Sequence, residues 1–128
     1  MQLMLHFSQL KEEPKMINAK QEFLDHIKER CVGGRTVRCA KISIHNAKNS
    51  VYSILPVGYT SEDQESFLEE INLEYNNGYG GQNLYGTIWY TGGLSWSKRG
   101  ENDDSEWWEF QSCPEIGPEM MGGTDSRI

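Results

Sequence analysis

Two runs of carboxylates dominate the chemistry that this chain can offer. The first is Glu62, Asp63, Glu65, Glu69, Glu70 and Glu74; the second is Glu101, Asp103, Asp104, Glu106 and Glu109, with only Lys98 and Arg99 beside it. Side chains of this type and density concentrate negative charge. They attract cationic surfaces by Coulomb forces, and they imitate the phosphates that a nucleic-acid-binding protein expects, so such binding weakens as salt rises. Glu62, Glu65, Glu69, Glu101, Asp103, Asp104 and Glu106 are the expected partner-binding residues. The plainer reading is a solvated helix face followed by an acidic turn.

Other reactive groups are sparse. The run Glu101-Asn-Asp-Asp-Ser-Glu106 offers oxygen ligands for calcium or magnesium, but it lacks EF-hand spacing and the turn glycine. His6, His26 and His45 have no nucleophile at a recognisable spacing, and Ser97 sits in no elbow motif. Gly78-Tyr-Gly-Gly81 has neither the lysine of a P-loop nor a following helix. No catalytic residue, metal ligand or cofactor is therefore assigned, and a non-enzymatic protein is expected. Lys28, Arg30, Arg35, Arg38 and Lys41 form a basic group that suits either an anion or the acidic half of the chain.

Charge is unevenly distributed. Residues 1–59 carry a net +4 and residues 60–128 a net −11, for −7 overall. Opposed halves give a molecular dipole that favours steered association with a charged macromolecule, and the acidic excess argues against direct nucleic-acid binding. A mean hydropathy of −0.66 and the lack of a long apolar run argue against a membrane-spanning helix. Cys31, Cys39 and Cys113 are odd in number and contain no CxxC, which favours free thiols and a reducing, cytoplasmic setting.

The elements that position these groups follow from periodicity. At 128 residues a single domain with its own core is expected. Residues 1–15 differ from the rest: Lys11-Glu12-Glu13 implies a purine-rich run ahead of Met16, so the segment reads either as upstream leader or as an edge strand with Leu3, Leu5 and Phe7 on one face. Asn18 caps a first helix, with Gln21 at N3, that buries Phe23, Leu24, Ile27 and Cys31 and stops at Gly33-Gly34. Val37–His45 alternates as a strand, and Asn46–Ser50 reads as a hairpin turn. A second strand, Val51–Tyr59, contains Pro56 and so belongs at an edge. Ser61, with Gln64 at N3, is expected to cap a second helix. Its buried face is Phe67, Leu68, Ile71 and Tyr75, and Asn76-Asn77-Gly78 ends it. The single domain spans 16–113, and 114–128 reads as a flexible tail.

The aromatic stretch Leu84–Gln111 holds all four tryptophans and reads as three antiparallel strands. Gly92-Gly93 supplies a tight turn, and a polar loop Arg99–Ser105 leads into the third strand, where Trp108 and Phe110 share one face and Trp107 and Glu109 the other. If Trp89 and Trp107 lie on the face away from the helices, the protein is a ligand-binding module that stacks glycans or nucleotides on its sheet. Gln21–Ile27 echoes Glu65–Ile71, which suggests two helix–strand–strand units. The expected fold is thus α+β, an antiparallel sheet of about five strands with two helices on one face, for which the echo suggests an αββ-αββ(β) arrangement.

Tyr85-Gly-Thr-Ile-Trp-Tyr90, Trp96-Ser-Lys-Arg-Gly-Glu101, Ser105-Glu-Trp-Trp-Glu-Phe110 and Cys113-Pro-Glu-Ile116 resemble the C-terminal part of small uncharacterised bacteriophage and prophage proteins. The resemblance brings no active site. It implies a phage-type accessory protein that binds and modulates a host protein in the host cytosol, as an inhibitor of a nucleic-acid-handling enzyme or of a defence complex.

Overall fold

The computed structural model describes residues 15–46, 50–78 and 80–123. The leader (Lys15 excepted), the strand expected at Leu3–Phe7, the middle of the Asn46–Ser50 turn and the last five residues of the tail lie outside the described residues.

The order of elements is β1 (Met16–Asn18), α1 (Ala19–Arg30), β2 (Val37–His45), β3 (Ser50–Leu55), α2 (Ser61–Glu70), β4 (Glu74–Asn76), β5 (Leu84–Tyr90), β6 (Ser95–Glu101) and β7 (Glu106–Ser112). Five strands form one antiparallel sheet in the order β3-β2-β5-β6-β7, and β1 pairs with β4 in a separate antiparallel ribbon. This is an α+β domain. The main sheet sets the β2–β3 hairpin beside the three-stranded β5–β6–β7 meander, the two meeting at β2 and β5. The β1–β4 ribbon has no counterpart in the sequence reading.

Local chemistry accounts for most boundaries. The Asn18 side chain accepts the Gln21 N–H at 2.8 Å and starts α1. After Cys31 closes the last turn onto Ile27 O, Gly33 and Gly34 take positive φ and turn the chain. α2 starts one residue earlier than its sequence suggests, because Thr60 and not Ser61 is the cap. Its hydroxyl accepts Asp63 N–H at 3.1 Å while the Asp63 carboxylate accepts Thr60 N–H at 3.0 Å, a reciprocal capping box. The second strand, expected over Val51–Tyr59 with Pro56 inside it, instead ends at Leu55 because Pro56 cannot donate to the ladder, and it lies at the sheet edge as expected.

Two expectations are corrected. α2 ends at Glu70 and does not run on to Tyr75. The Ala19 N–H bonds Leu73 O at 2.9 Å and Ile17 pairs with Tyr75, so tertiary pairing with β1 takes over from the helical repeat. The polar loop expected from Arg99 is also shorter, since β6 continues to Glu101 and Arg99 is a strand residue.

Both helices cover one face of the sheet. Phe23 of α1 and Phe67 of α2 meet edge to face, 5.4 Å between ring centres, above Ala40, Ile42, Ile44, Leu55, Leu84 and Ile88. No helix of the described residues is long and apolar enough to cross a membrane. Among the described residues neither α1 nor α2 covers the opposite face of the sheet.

Candidate functional site on the open sheet face

The carboxylates expected to form one acidic surface do not adjoin. Glu62, Glu65 and Glu69 are exposed on α2, which packs against β3 at one edge of the sheet. Glu101, Asp103 and Asp104 are exposed on the β6–β7 hairpin at the other edge, with β2 and β5 between the two edges. A single continuous acidic surface is therefore corrected to two separate patches.

Glu106 belongs to neither. Its side chain is 2% exposed and is held from three sides: Asn83 N–H donates to it at 2.7 Å, Leu84 N–H at 2.9 Å and Arg99 Nη2 at 3.0 Å. Arg99 in turn bonds Glu22 Oε2 at 3.0 Å and Tyr75 Oη at 2.9 Å, and its guanidinium lies 5.0 Å from the Trp108 ring centre. The Tyr75 hydroxyl donates to Glu22 Oε1, and Asn77 bridges Tyr75 and the Glu106 backbone. Burial pushes the Tyr75 hydroxyl far above the ordinary tyrosine range. Burial alone would lower Arg99, yet Glu22 and Tyr75 hold it more firmly charged than usual. This polar core ties α1 and the β1–β4 ribbon to β6 and β7. Glu106 is thereby consumed inside the molecule, and its expected partner-binding role is withdrawn.

Beside it, His26 Nε2 and the Tyr90 hydroxyl both meet Ser97 Oγ at 2.7 Å, and the His26 ring stacks on Trp108. Burial, then Arg30, pulls the His26 pKa down to about 4. The expected basic group is also divided. Arg30 and Arg35 converge on Phe110 beneath the helices, whereas Arg38 and Lys41 lie exposed on β2. Among the described residues the ion pairs are those of Arg99 with Glu22 and Glu106.

What the fold does assemble is an aromatic field on the open face. Strand alternation sends Ala40, Ile42, Ile44, Ile88, Ser97 and Trp108 inward. It sends Tyr52 and Ile54 of β3, Lys41 and Ser43 of β2, Tyr85, Thr87 and Trp89 of β5, Trp96 and Lys98 of β6, and Trp107 and Glu109 of β7 outward. Tyr52 is 64%, Tyr85 47% and Trp89 38% exposed. Trp89 stands in register with Trp96, and Lys41 Nζ lies 5.9 Å from the Trp89 ring centre. Trp107 is on this face but half-buried. It lies across Gly100, where an added Cβ would come within 2.7 Å of the indole nitrogen. Of the two tryptophans expected as a platform, Trp89 is therefore the accessible one.

The register builds a slot. Ser43 is paired with Tyr52 on one side and with Tyr85 on the other. Two large aromatic side chains thus flank one small hydroxyl, about 10 Å apart at the backbone. The cleft between them has a volume of about 210 Å³ and is bordered by Lys41. His45 lines up the far end, with Nε2 3.1 Å from Ser43 Oγ, Nδ1 3.3 Å from Ser50 Oγ and its ring edge-on to Tyr85. A flat ring needs about 3.5 Å to each aromatic neighbour, about 7 Å between two walls, which upright tyrosines on alternate strands can provide. Tyr52, Ser43 and Tyr85 were not legible as a group, because the signal that unites them is cross-strand register.

Comparison of the chain with protein-family models, with curated proteins and with solved structures returns no match.

Proposed function

We propose that this protein is a non-enzymatic binding module that takes a nucleotide on the open face of its sheet, with a base between Tyr52 and Tyr85. The observation that carries the reading is the shared register of both tyrosines with Ser43. Stacking on aromatic side chains is worth about 1–3 kcal/mol per base and tolerates any base. The charge of the face supports an anionic ligand over a neutral glycan. Lys41 and Lys98 are open-face residues of β2 and β6, against Glu109 of β7, although the whole chain is at −7. Local charge governs a phosphate within a screening length of about 8–10 Å, so net charge does not oppose binding there.

Isothermal titration with a nucleoside monophosphate, a short single-stranded oligonucleotide and a neutral oligosaccharide tests the proposal. Binding of the nucleotide ligands, weakened about tenfold or more by Tyr52→Ala or Tyr85→Ala with unchanged circular dichroism, supports it. Tighter binding of the oligonucleotide identifies a strand as the source, and equal binding per site identifies the free nucleotide. Binding of the oligosaccharide alone, or indifference of nucleotide affinity to both tyrosine variants, overturns it.

A further inference from the structure

The open face is ordered in rows, because strands in register set every second side chain beside its neighbours. One row runs Tyr52, Ser43 and Tyr85 across β3, β2 and β5. The next runs Ile54, Lys41, Thr87, Lys98 and Glu109 from β3 to β7. The third sets Cys39, Trp89, Trp96 and Gln111 across β2, β5, β6 and β7. A row carrying two ammonium groups thus lies between two rows of aromatic side chains.

Lys41 joins the two aromatic rows. It borders the tyrosine slot, and its Nζ lies 5.9 Å from the Trp89 ring centre. Trp89 is 38% exposed, and Lys41 and Lys98 are exposed on either side of Thr87. Among the described residues neither lysine forms an ion pair, although Glu109 stands in register beyond Lys98.

Tyr85 and Trp89 are four residues apart on β5, about 13 Å along the strand. That is about four stacked rises of a nucleic-acid strand at 3.4 Å each. A strand whose bases are unstacked and splayed onto protein rings covers the distance with about two phosphates. Those phosphates fall over the row that holds Lys41 and Lys98. A free mononucleotide fills the slot and leaves Trp89 unused.

We propose that the ligand is a single-stranded nucleic acid of about three or more nucleotides. One base sits between Tyr52 and Tyr85, a second stacks on Trp89, and the bridging phosphates lie on Lys41 and Lys98. This rests on the tyrosine slot and names the ligand class that fits the slot and its surroundings together. In the free protein the Lys41 ammonium faces the Trp89 ring. A phosphate is a stronger partner than a ring, and the flexible lysine stem lets the ammonium swing to it as the base arrives.

Isothermal titration of the full chain compares thymidine monophosphate, the thymidine trinucleotide and the same trinucleotide with uncharged methylphosphonate linkages. The trinucleotide should bind about tenfold or more tighter than the monophosphate, and the methylphosphonate form should lose most of that gain. Its log affinity should fall with log salt at a slope of about −1.4, the value for two phosphates on a single strand, and Lys41→Gln should reduce the slope by about 0.7. Trp89→Ala should remove most of the gain and Trp89→Phe should keep it, with thermal unfolding used to verify that both variants are folded. Equal affinity of trinucleotide and monophosphate, a gain that survives Trp89→Ala, or an equal gain with methylphosphonate linkages overturns the proposal. If the monophosphate still binds and responds to Tyr52→Ala, the slot stands and only the second platform falls. If monophosphate affinity is indifferent to both tyrosine variants, the two readings fall together.

Discussion

Arg99 and Glu106, on neighbouring strands of one hairpin, form an ion pair at 3.0 Å in which both side chains are only 2% exposed. A pair this deep repays its desolvation only because most of the remaining polar atoms find partners, Arg99 Nε being the buried exception. Glu106 also receives two backbone N–H groups, and Arg99 also holds Glu22 and Tyr75. Arg99→Met leaves two carboxylates without their cation and should cost about 3–5 kcal/mol in urea unfolding. Glu62→Gln, on the exposed side of α2, should stay within about 0.5 kcal/mol. Equal effects from the two substitutions would show that the buried network does not hold the fold.

The Thr60 capping box predicts an asymmetry between adjacent hydroxyls. Thr60→Ala should destabilise the protein by about 1 kcal/mol. Ser61→Ala should change stability by less than about 0.5 kcal/mol, since Ser61 is already inside the helix and exposed. Chemical denaturation of both variants decides which residue is the cap.

Gly86 has no room for a side chain. A Cβ there would come within 2.6 Å of Lys41 O and 3.1 Å of the Trp108 ring. The first contact is backbone and cannot step aside. Gly86→Ala should therefore cost about 1–3 kcal/mol by forcing β2 and β5 apart, and the loss should appear as a lower urea midpoint.

His26 sets a pH dependence. Its pKa is about 4 in the folded chain against 6.5 for the free side chain, so the unfolded state binds more protons between those values. Stability should fall as pH drops from about 6.5 towards 4 and be insensitive to His26 above that window. The facing charges are Arg30 and Arg99, which oppose protonation, and Glu29, which favours it. His26→Gln should flatten the fall in melting temperature between pH 7 and pH 4.5 relative to the parent. Parallel pH profiles for the two chains would exclude His26 as the source.

Much of the architecture was written in local patterns. Asn18, Gly33-Gly34, Pro56 and Gly92-Gly93 act within a few residues of themselves, so the first helix, the edge strand and the aromatic hairpin could be read from spacing alone. The end of α2 could not, because no glycine or proline stands between Glu70 and Asn76; pairing of Ile17 with Tyr75, far apart in the chain, decides it.

The same division runs through the candidate sites. Composition alone determined that the chain is acidic and aromatic-rich. Only tertiary structure decided that the two carboxylate runs stand at opposite sheet edges, that Glu106 is spent on Arg99, and that Ser43 sits between Tyr52 and Tyr85. The physical reason is that a side chain's chemistry is carried by its own atoms, whereas its neighbours and its access to water depend on strand register and order, which are settled by contacts between residues tens of positions apart.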